Sequence, residues 1–364
     1  MSKAAELAAL IGSQTAQGNR NLVINGAMQI WQRGTSIDTI SNNGFLCDRW
    51  KIQHGGTDGN VDIDRTTDVP DGKGFGFSQK VSMDASESSL DAADSIRVVQ
   101  RMEGQNLQSL KKGTSSAESV TISFYVKSSV AATYTVNIRD EDNDRDNAKT
   151  YTINSVNTWE FKSITFAGDT TGALDNDNSR SFDLNFWIDA GTNFTSGTFY
   201  NGTWAAGDNT KKVSATTGWL QSSSPTWFIT GVQMELGEQA TAFEHRSFAD
   251  DLALCQRYFY KILGTGDSFS PLSGGGVLRS TTQGDVPTTF PVAMRTAPTF
   301  AESSAQLCSE NGSDVTSLGN NRSNAFMGQQ EATASGLSGG DAGEACYLRC
   351  NNDASAFVSY DAEL

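Results

Sequence analysis

The chain has 364 residues, enough for two or three domains each with its own core. Its net charge of −15 argues against nucleic acid as a partner and against charge-driven adhesion to anionic lipid. Hydrophobic residues make up only 37%, Gly is abundant at 35 and Pro scarce at 6, a mix that suits strands joined by tight turns. The 19 Phe and 7 Trp need burial, so wholesale disorder is excluded.

In chain order, Ser2–Gly12 reads as a short helix: Ser2 caps, Leu7, Leu10 and Ile11 share a face, and Gly12 stops it. A helix of this length is marginal alone, so residues 1–18 are expected to serve as an anchor to a larger assembly or a trimerisation element. Glu6 sits where a secretory leader would need its apolar core. No apolar run approaches the ~20 residues needed to span a bilayer, so membrane insertion is not expected.

From residue 22 the period changes to 2. Leu22, Ile24, Met28 and Ile30 alternate around Asn25-Gly26, and Ser95–Met102 is a weaker strand. The clearest strand is Val120–Lys127, with Val120, Ile122, Phe124 and Val126 on one face; Tyr134–Arg139 follows closely as its expected partner. Trp159–Phe166, Phe182–Ile188 and Trp227–Leu236 continue the pattern. Many short strands without intervening helices predict an all-β chain built on an antiparallel β-sandwich, a jelly roll of the carbohydrate-binding-module type, over 19–246.

Ser247–Arg257 reads as a helix, with Ser247 as cap and Asp250 and Asp251 complementing its dipole. Residues 247–263 are thus a connecting joint. Five glycines in Gly264–Gly276 mark a boundary before a small C-terminal β tip domain, 264–364, with a Ser/Gly/Asn-rich stretch at 301–343. A thin hydrophobic share and a glycine-rich tip point to cores shared between subunits, hence a homotrimer. No fixed-period repeat is visible.

Catalytic motifs are absent. His54 lies in a Gln-His-Gly-Gly loop, and His245 in a Phe-Glu-His-Arg corner where a structural hydrogen bond is expected. No Gly-x-Ser-x-Gly, His-Glu-x-x-His or phosphate-binding glycine loop occurs, so no catalytic residue is assigned and no enzyme is expected. The five cysteines are scattered and odd in number, which favours free thiols over zinc or disulfides. Asp140–Asn147 packs five carboxylates and two amides into eight residues. Asp140, Asp142, Asp144 and Asp146 are therefore a Ca²⁺ candidate, the alternative being a solvated hairpin tip. No other cofactor is implied.

Aromatic rings on β-sandwiches can stack on the apolar faces of sugars. Tyr125 and Trp187 stand out of phase with the inward residues of their strands, and Trp204 and Trp219 lie in the polar excursion Thr198–Ser224. Tyr347 and Tyr360, with Arg279, Arg322 and Arg349, punctuate the tip. Each ring is a glycan-binding candidate or a packing residue; Trp31, Trp50 and Arg49 are assigned to structure.

Five motifs in order carry a family resemblance: Asn19–Gly34 (NRNLVINGAMQIWQRG), Asp48-Arg49-Trp50, Gly231–Gly237 (GVQMELG), Phe243–Arg246 (FEHR) and Cys255–Phe259 (CQRYF). Together they resemble the tail-fibre and virion-appendage proteins of bacteriophages, marine ones in particular. The resemblance implies a virion protein assembled in the host cytoplasm, which partners other tail or head proteins and attaches to host polysaccharide or lipopolysaccharide. A head decoration or a tail connector is the alternative, and a polysaccharide depolymerase a third reading.

Overall fold

A computed structural model describes residues 20–364 apart from 41, 58, 265–268, 309–311, 320–322 and 335–339. The helix expected over residues 2–12, and Arg322, lie outside the described residues. Two compact units divide the chain, one ending at Phe248 and the other running from Ala249 to Glu363.

The first unit is the antiparallel sandwich. Its strands are β1 (Ser36–Ile37), β2 (Gly44–Phe45), β3 (Lys51–Gly55), β4 (Val61–Thr66), β5 (Ser78–Met83), β6 (Ser95–Glu103) and β7 (Val120–Ser128). They continue as β8 (Thr133–Asp140), β9 (Arg145–Thr152), β10 (Glu160–Phe166), β11 (Arg180–Ala190), β12 (Ala205–Ala206) and β13 (Thr226–Leu236). One sheet runs β1-β4-β5-β13-β7-β10 and the other β12-β9-β8-β11-β6-β3-β2. Between the hairpins β2–β3, β4–β5 and β8–β9 the chain crosses repeatedly from one sheet to the other, which gives the jelly-roll winding.

That winding corrects the expected β7–β8 hairpin. β7 pairs with β10 and β13, whereas β8 pairs with β9 and β11 in the opposite sheet. Alternation marks the inward face of a strand but not its neighbour. The connection after β7 is pinned to β13, Ser129 N donating to Thr226 O at 3.0 Å, and it crosses the sandwich there. Ile122, Phe124 and Val126 of β7 face inward and are fully buried together with Tyr134, Val136 and Ile138 of β8. Phe124 packs edge-on against Phe186 and Tyr151, with centroids 4.9 and 5.0 Å away. Each such side chain contributes about 1.5–3 kcal/mol by leaving water.

The described part of the 19–34 motif, residues 20–34, is not the strand that its alternation predicts. It is an irregular, largely buried plug centred on Asn25, which has positive φ (56°) and no solvent exposure. Its Oδ1 accepts from Gln29 N and Ile30 N, its Nδ2 donates to Ile30 O and Asp48 O, and its carbonyl accepts from Trp50 Nε1. A Cβ on Gly26 would lie 2.0 Å from Val232 O, so only glycine fits against β13. The closing motif clasps this plug. Glu244 accepts from the backbone N–H of Arg20 and Asn21, and Arg246 donates to Asn21 O and Val23 O. Asn21 in turn donates to Val232 O and accepts from Met234 N. The two widely separated motifs are thus one structural clasp, and Arg49, Trp31 and Trp50 are buried within the same region. His54, expected in a loop, is on strand β3.

In the second unit the helix is α1 (Phe248–Gln256), and strands β14 (Phe259–Leu263), β15 (Gly276–Ser280), β16 (Gln283–Thr289), β17 (Thr299–Ser303) and β18 (Ala305–Cys308) follow. β19 (Gly312–Gly319), β20 (Met327–Ala334), β21 (Ala345–Cys350) and β22 (Phe357–Asp361) complete it. A closed barrel, β15-β16-β20-β19-β18-β21, accompanies a three-stranded sheet, β14-β22-β17. The expected joint 247–263 is therefore not a separate element, because β14 pairs along its whole length with β22. The polar stretch 301–343 contributes to four strands. All five cysteines are buried and none is in a disulfide. No helix among the described residues is long and apolar enough to cross a membrane.

Candidate functional site

On the sheet containing β7, the residues that alternate with the core-facing set point outward. Register places Tyr125 of β7 opposite Phe161 of β10 on one side and Thr230 of β13 on the other. Beyond Thr230 the register of β13 slips by a bulge. Gly231 lies in this bulge with φ of 64°, and a Cβ there would meet the Phe75 ring at 2.5 Å. The missing side chain lets the 71–76 loop lay Phe75 over the sheet.

The result is a groove of about 360 Å³ lined by rings. Phe75 is at its centre, with centroids 5.6 Å from Tyr125, 5.0 Å from Phe243 and 5.3 Å from His245. Tyr125 continues to Phe161 at 5.1 Å, and Phe243 to His245 at 4.8 Å. Phe161 is half exposed (50%) although it is a large apolar side chain on a strand. Lys73, Ser123 and Thr241 add polar groups to the lining. The closing loop is braced from behind: Glu235 accepts from Thr241 N at 2.8 Å and from its hydroxyl at 2.7 Å, and Gln233 Oε1 accepts from Glu244 N. His245 differs from expectation. It presents its ring beside Phe75 and Phe243, while its neighbours Glu244 and Arg246 supply the structural hydrogen bonds.

Of the candidate rings, the structure brings only Tyr125 into this groove. Trp187 does point away from the main core, as its phase predicts, but it is buried beneath Phe194 and Val213 with the Arg97 guanidinium 4.3 Å above its ring. Trp219 is a core residue. Asp189 accepts from Thr217 N and Leu220 N, which turns its loop inward and seals one end of the sandwich. Trp204 packs on Phe182 and donates Nε1 to Ala167 O. Tyr360 is fully buried in the second unit, stacked near Tyr260 and donating to Thr288 Oγ1 at 2.7 Å. Trp187, Trp219 and Tyr360, all fully buried, are corrected from ligand candidates to packing residues, whereas Trp204 is half-buried and lies outside the groove. Tyr347 is half-buried on β21, Arg349 covers Phe269, and Arg279 is tied to Asp285 and Glu331.

The acidic candidates do not converge. Asp140 is buried and paired with Lys112 at 2.5 Å, and its carboxylate accepts from Asn143. Asp146, also buried, binds Arg139 at 2.9 Å and Asn137 at 3.1 Å, with Lys212 3.8 Å away. Asp144 pairs with Arg139, and Asp142 accepts from Asp175 N. No group of three or more metal-ligating side chains occurs among the described residues. Asp140–Asn147 is instead a β8–β9 turn and strand start whose carboxylates are tied to cations and amides already present.

The missed residues are Phe75, Phe161, Phe243 and His245. Phe161 was legible: it is out of phase with inward Ile164 and Phe166. The other three stand on loops, where no periodicity tells outward from inward.

No family model matches the chain, and no curated protein does. Among solved structures, the enzymatically active domain of tailspike protein 4 of bacteriophage CBA120 is similar at 16% identity and a TM-score of 0.32, over 60% of this chain and 22% of that one. This chain thus spans about a fifth of the length of that tailspike domain. A family 4 carbohydrate-binding module is similar at 16% identity and a TM-score of 0.31, over 58% of this chain and 98% of the module. The family 11 carbohydrate-binding module of a Clostridium thermocellum cellulosomal cellulase follows at 15% and 0.27, over 56% and 97%. At such identities and scores, likeness does not extend to ligand or activity.

Proposed function

We propose that the protein is a non-catalytic bacteriophage appendage that attaches to host-surface glycan through the groove at Tyr125. One observation carries this reading: five adjacent rings held on a rigid sheet and its bracing loops, with polar groups at hand and Phe161 left in water. Apolar sugar faces stack on such rings while hydroxyls meet the polar rim. The phage assignment rests on the five ordered motifs, which resemble tail-fibre and virion-appendage proteins. Binding without cleavage is favoured because the groove lining carries no carboxylate, whereas most glycoside hydrolases use two. Association as a homotrimer is part of the proposal, supported by the exposed Leu263, Val277, Phe326 and Met327 of the second unit.

Titration calorimetry of polysaccharide or lipopolysaccharide fragments from the adsorbed host against the wild type, Tyr125→Ala and Phe161→Ala tests the groove. Binding that both variants retain in full overturns it. Incubation with the same polysaccharide should leave its chain length unchanged, and shortening would make the protein a depolymerase. Light scattering should give a multiple of the 39.0 kDa chain mass, and labelling on intact virions separates a tail fibre from a head decoration or connector.

A further inference from the structure

Resting on the groove being the glycan site, we infer that its ligand is an anionic saccharide. The chain carries 42 Asp and Glu against 27 Lys and Arg, so its net charge repels anions. The groove departs from that balance: its lining holds Lys73 and His245 and no carboxylate.

Three glutamates around it are engaged elsewhere. Glu235 accepts from Gln233 Nε2 and from Thr241. Glu244 accepts from the backbone N–H groups of Arg20 and Asn21 and pairs with Arg246. Glu160, beside Phe161, accepts from Asn154, Ser155 and Lys162. Asp71 belongs to the same loop as Lys73 but does not line the groove.

Lys73, in contrast, is exposed. A lysine in the lining of a groove of rings offers what an acidic sugar unit requires: an apolar face for the pyranose and, within the side chain's reach, a cation for its acidic group. A neutral sugar could use the rings but would gain nothing from the ammonium, and a free anion without a ring face would gain nothing from Phe75, Tyr125 and Phe161.

The experiment compares one sugar with and without its charge: oligogalacturonate and oligomannuronate against their fully methyl-esterified forms. The stacking faces are the same in each pair. We expect the acids to bind about three- to tenfold tighter than the esters, the range of an ion pair at a partly exposed site. That preference should fall with rising salt and disappear in Lys73→Gln, while Tyr125→Ala abolishes binding of acids and esters alike. A sulfated dextran arm distinguishes a carboxylate from a sulfate as the source of the anion. Equal binding of acid and ester, both lost in Tyr125→Ala, overturns the anionic preference and leaves the groove as the glycan site. A preference that persists in Lys73→Gln also overturns it. Failure of every uronate to bind overturns the inference too, and titration with host polysaccharide then decides the groove by itself.

Discussion

The two outer faces of the sandwich use the same alternating strands to opposite ends. On the β11-containing sheet, outward side chains lock onto one another. Asn185 Nδ2 donates to Asn137 Oδ1 at 3.2 Å, Asn137 Nδ2 to Asp146, Arg139 binds Asp146 and Glu141, and Arg180 binds Asp183 and Glu141. Trp187 is sealed beneath this face by the 192–213 excursion. On the β7-containing sheet, the bulge at Gly231 leaves Phe75, Tyr125, Phe161, Phe243 and His245 around an open groove. An outward aromatic or charge is therefore no guide to function until its neighbours are known: one face has satisfied its own groups, and the other has left rings in contact with solvent.

The largest way to break that contrast is Asp146→Ala. It removes the buried acceptor for Arg139 and Asn137 and the counter-charge near Lys212, and breaking such a pair costs about 3–5 kcal/mol. Denaturant unfolding should show this loss, with glycan affinity of the folded fraction unchanged; a loss below about 1 kcal/mol would make the locked face an ordinary solvated surface.

Gly231→Ala should act on the other face in both respects. Left-handed backbone costs a non-glycine residue about 1–2 kcal/mol, and the new Cβ displaces Phe75. A lowered melting temperature together with lost binding is expected. Retained binding would show that Phe75 is dispensable to the groove.

Tyr125→Ala is expected to lower stability only modestly, since ring pairs are each worth about 0.5–1.5 kcal/mol, yet to reduce glycan affinity about tenfold or more. This split between stability and binding is the reverse of that for Asp146→Ala, and thermal melts with calorimetry on the two variants side by side measure it.

Smaller still is a pH effect at the edge of the groove. Burial alone would raise the Glu160 carboxyl, but hydrogen bonds from Lys162, from Ser155 N and from Asn154 outweigh it and hold it at about 2. A folded value below the unfolded one stabilises the native state above the unfolded pKa of about 4.3. That stability is lost as pH falls through the folded value. The stability gap between wild type and Glu160→Gln should therefore be full at pH 7, shrink below about pH 4 and close near pH 2; a gap independent of pH would remove the assignment.

The smallest effect concerns metal. With Asp140, Asp144 and Asp146 already matched by Lys112, Arg139 and Lys212, millimolar Ca²⁺ and EDTA should give superimposable melting curves. A rise with Ca²⁺ would mean that the cation competes with those partners.

Much of the fold was legible. The inward rows Ile122-Phe124-Val126 and Val136-Ile138 read directly from a period of 2, as did helix Phe248–Gln256 from its acidic first turn. The strands in 301–343 were not, because their small polar residues carry little hydrophobic contrast. The Asn19–Gly34 motif misled for a related reason: its apolar residues alternate, but Asn25 supplies from one side chain the hydrogen bonds that a neighbouring strand would have supplied. Of the candidate site, Tyr125 was legible and Phe161 could have been, both from strand phase.

What the sequence determined by itself is which side of each strongly alternating strand meets the core, since burial of apolar surface follows from local alternation and needs no knowledge of partners. Resemblance alone grouped Asn19–Gly34 with Gly231–Gly237 and Phe243–Arg246. Which strands pair, which outward rings stay in water and which carboxylates find a cation were decided only by tertiary structure. Those outcomes depend on side chains brought together from distant parts of the chain, such as Gly231 beneath Phe75, or Lys212 beside Asp146.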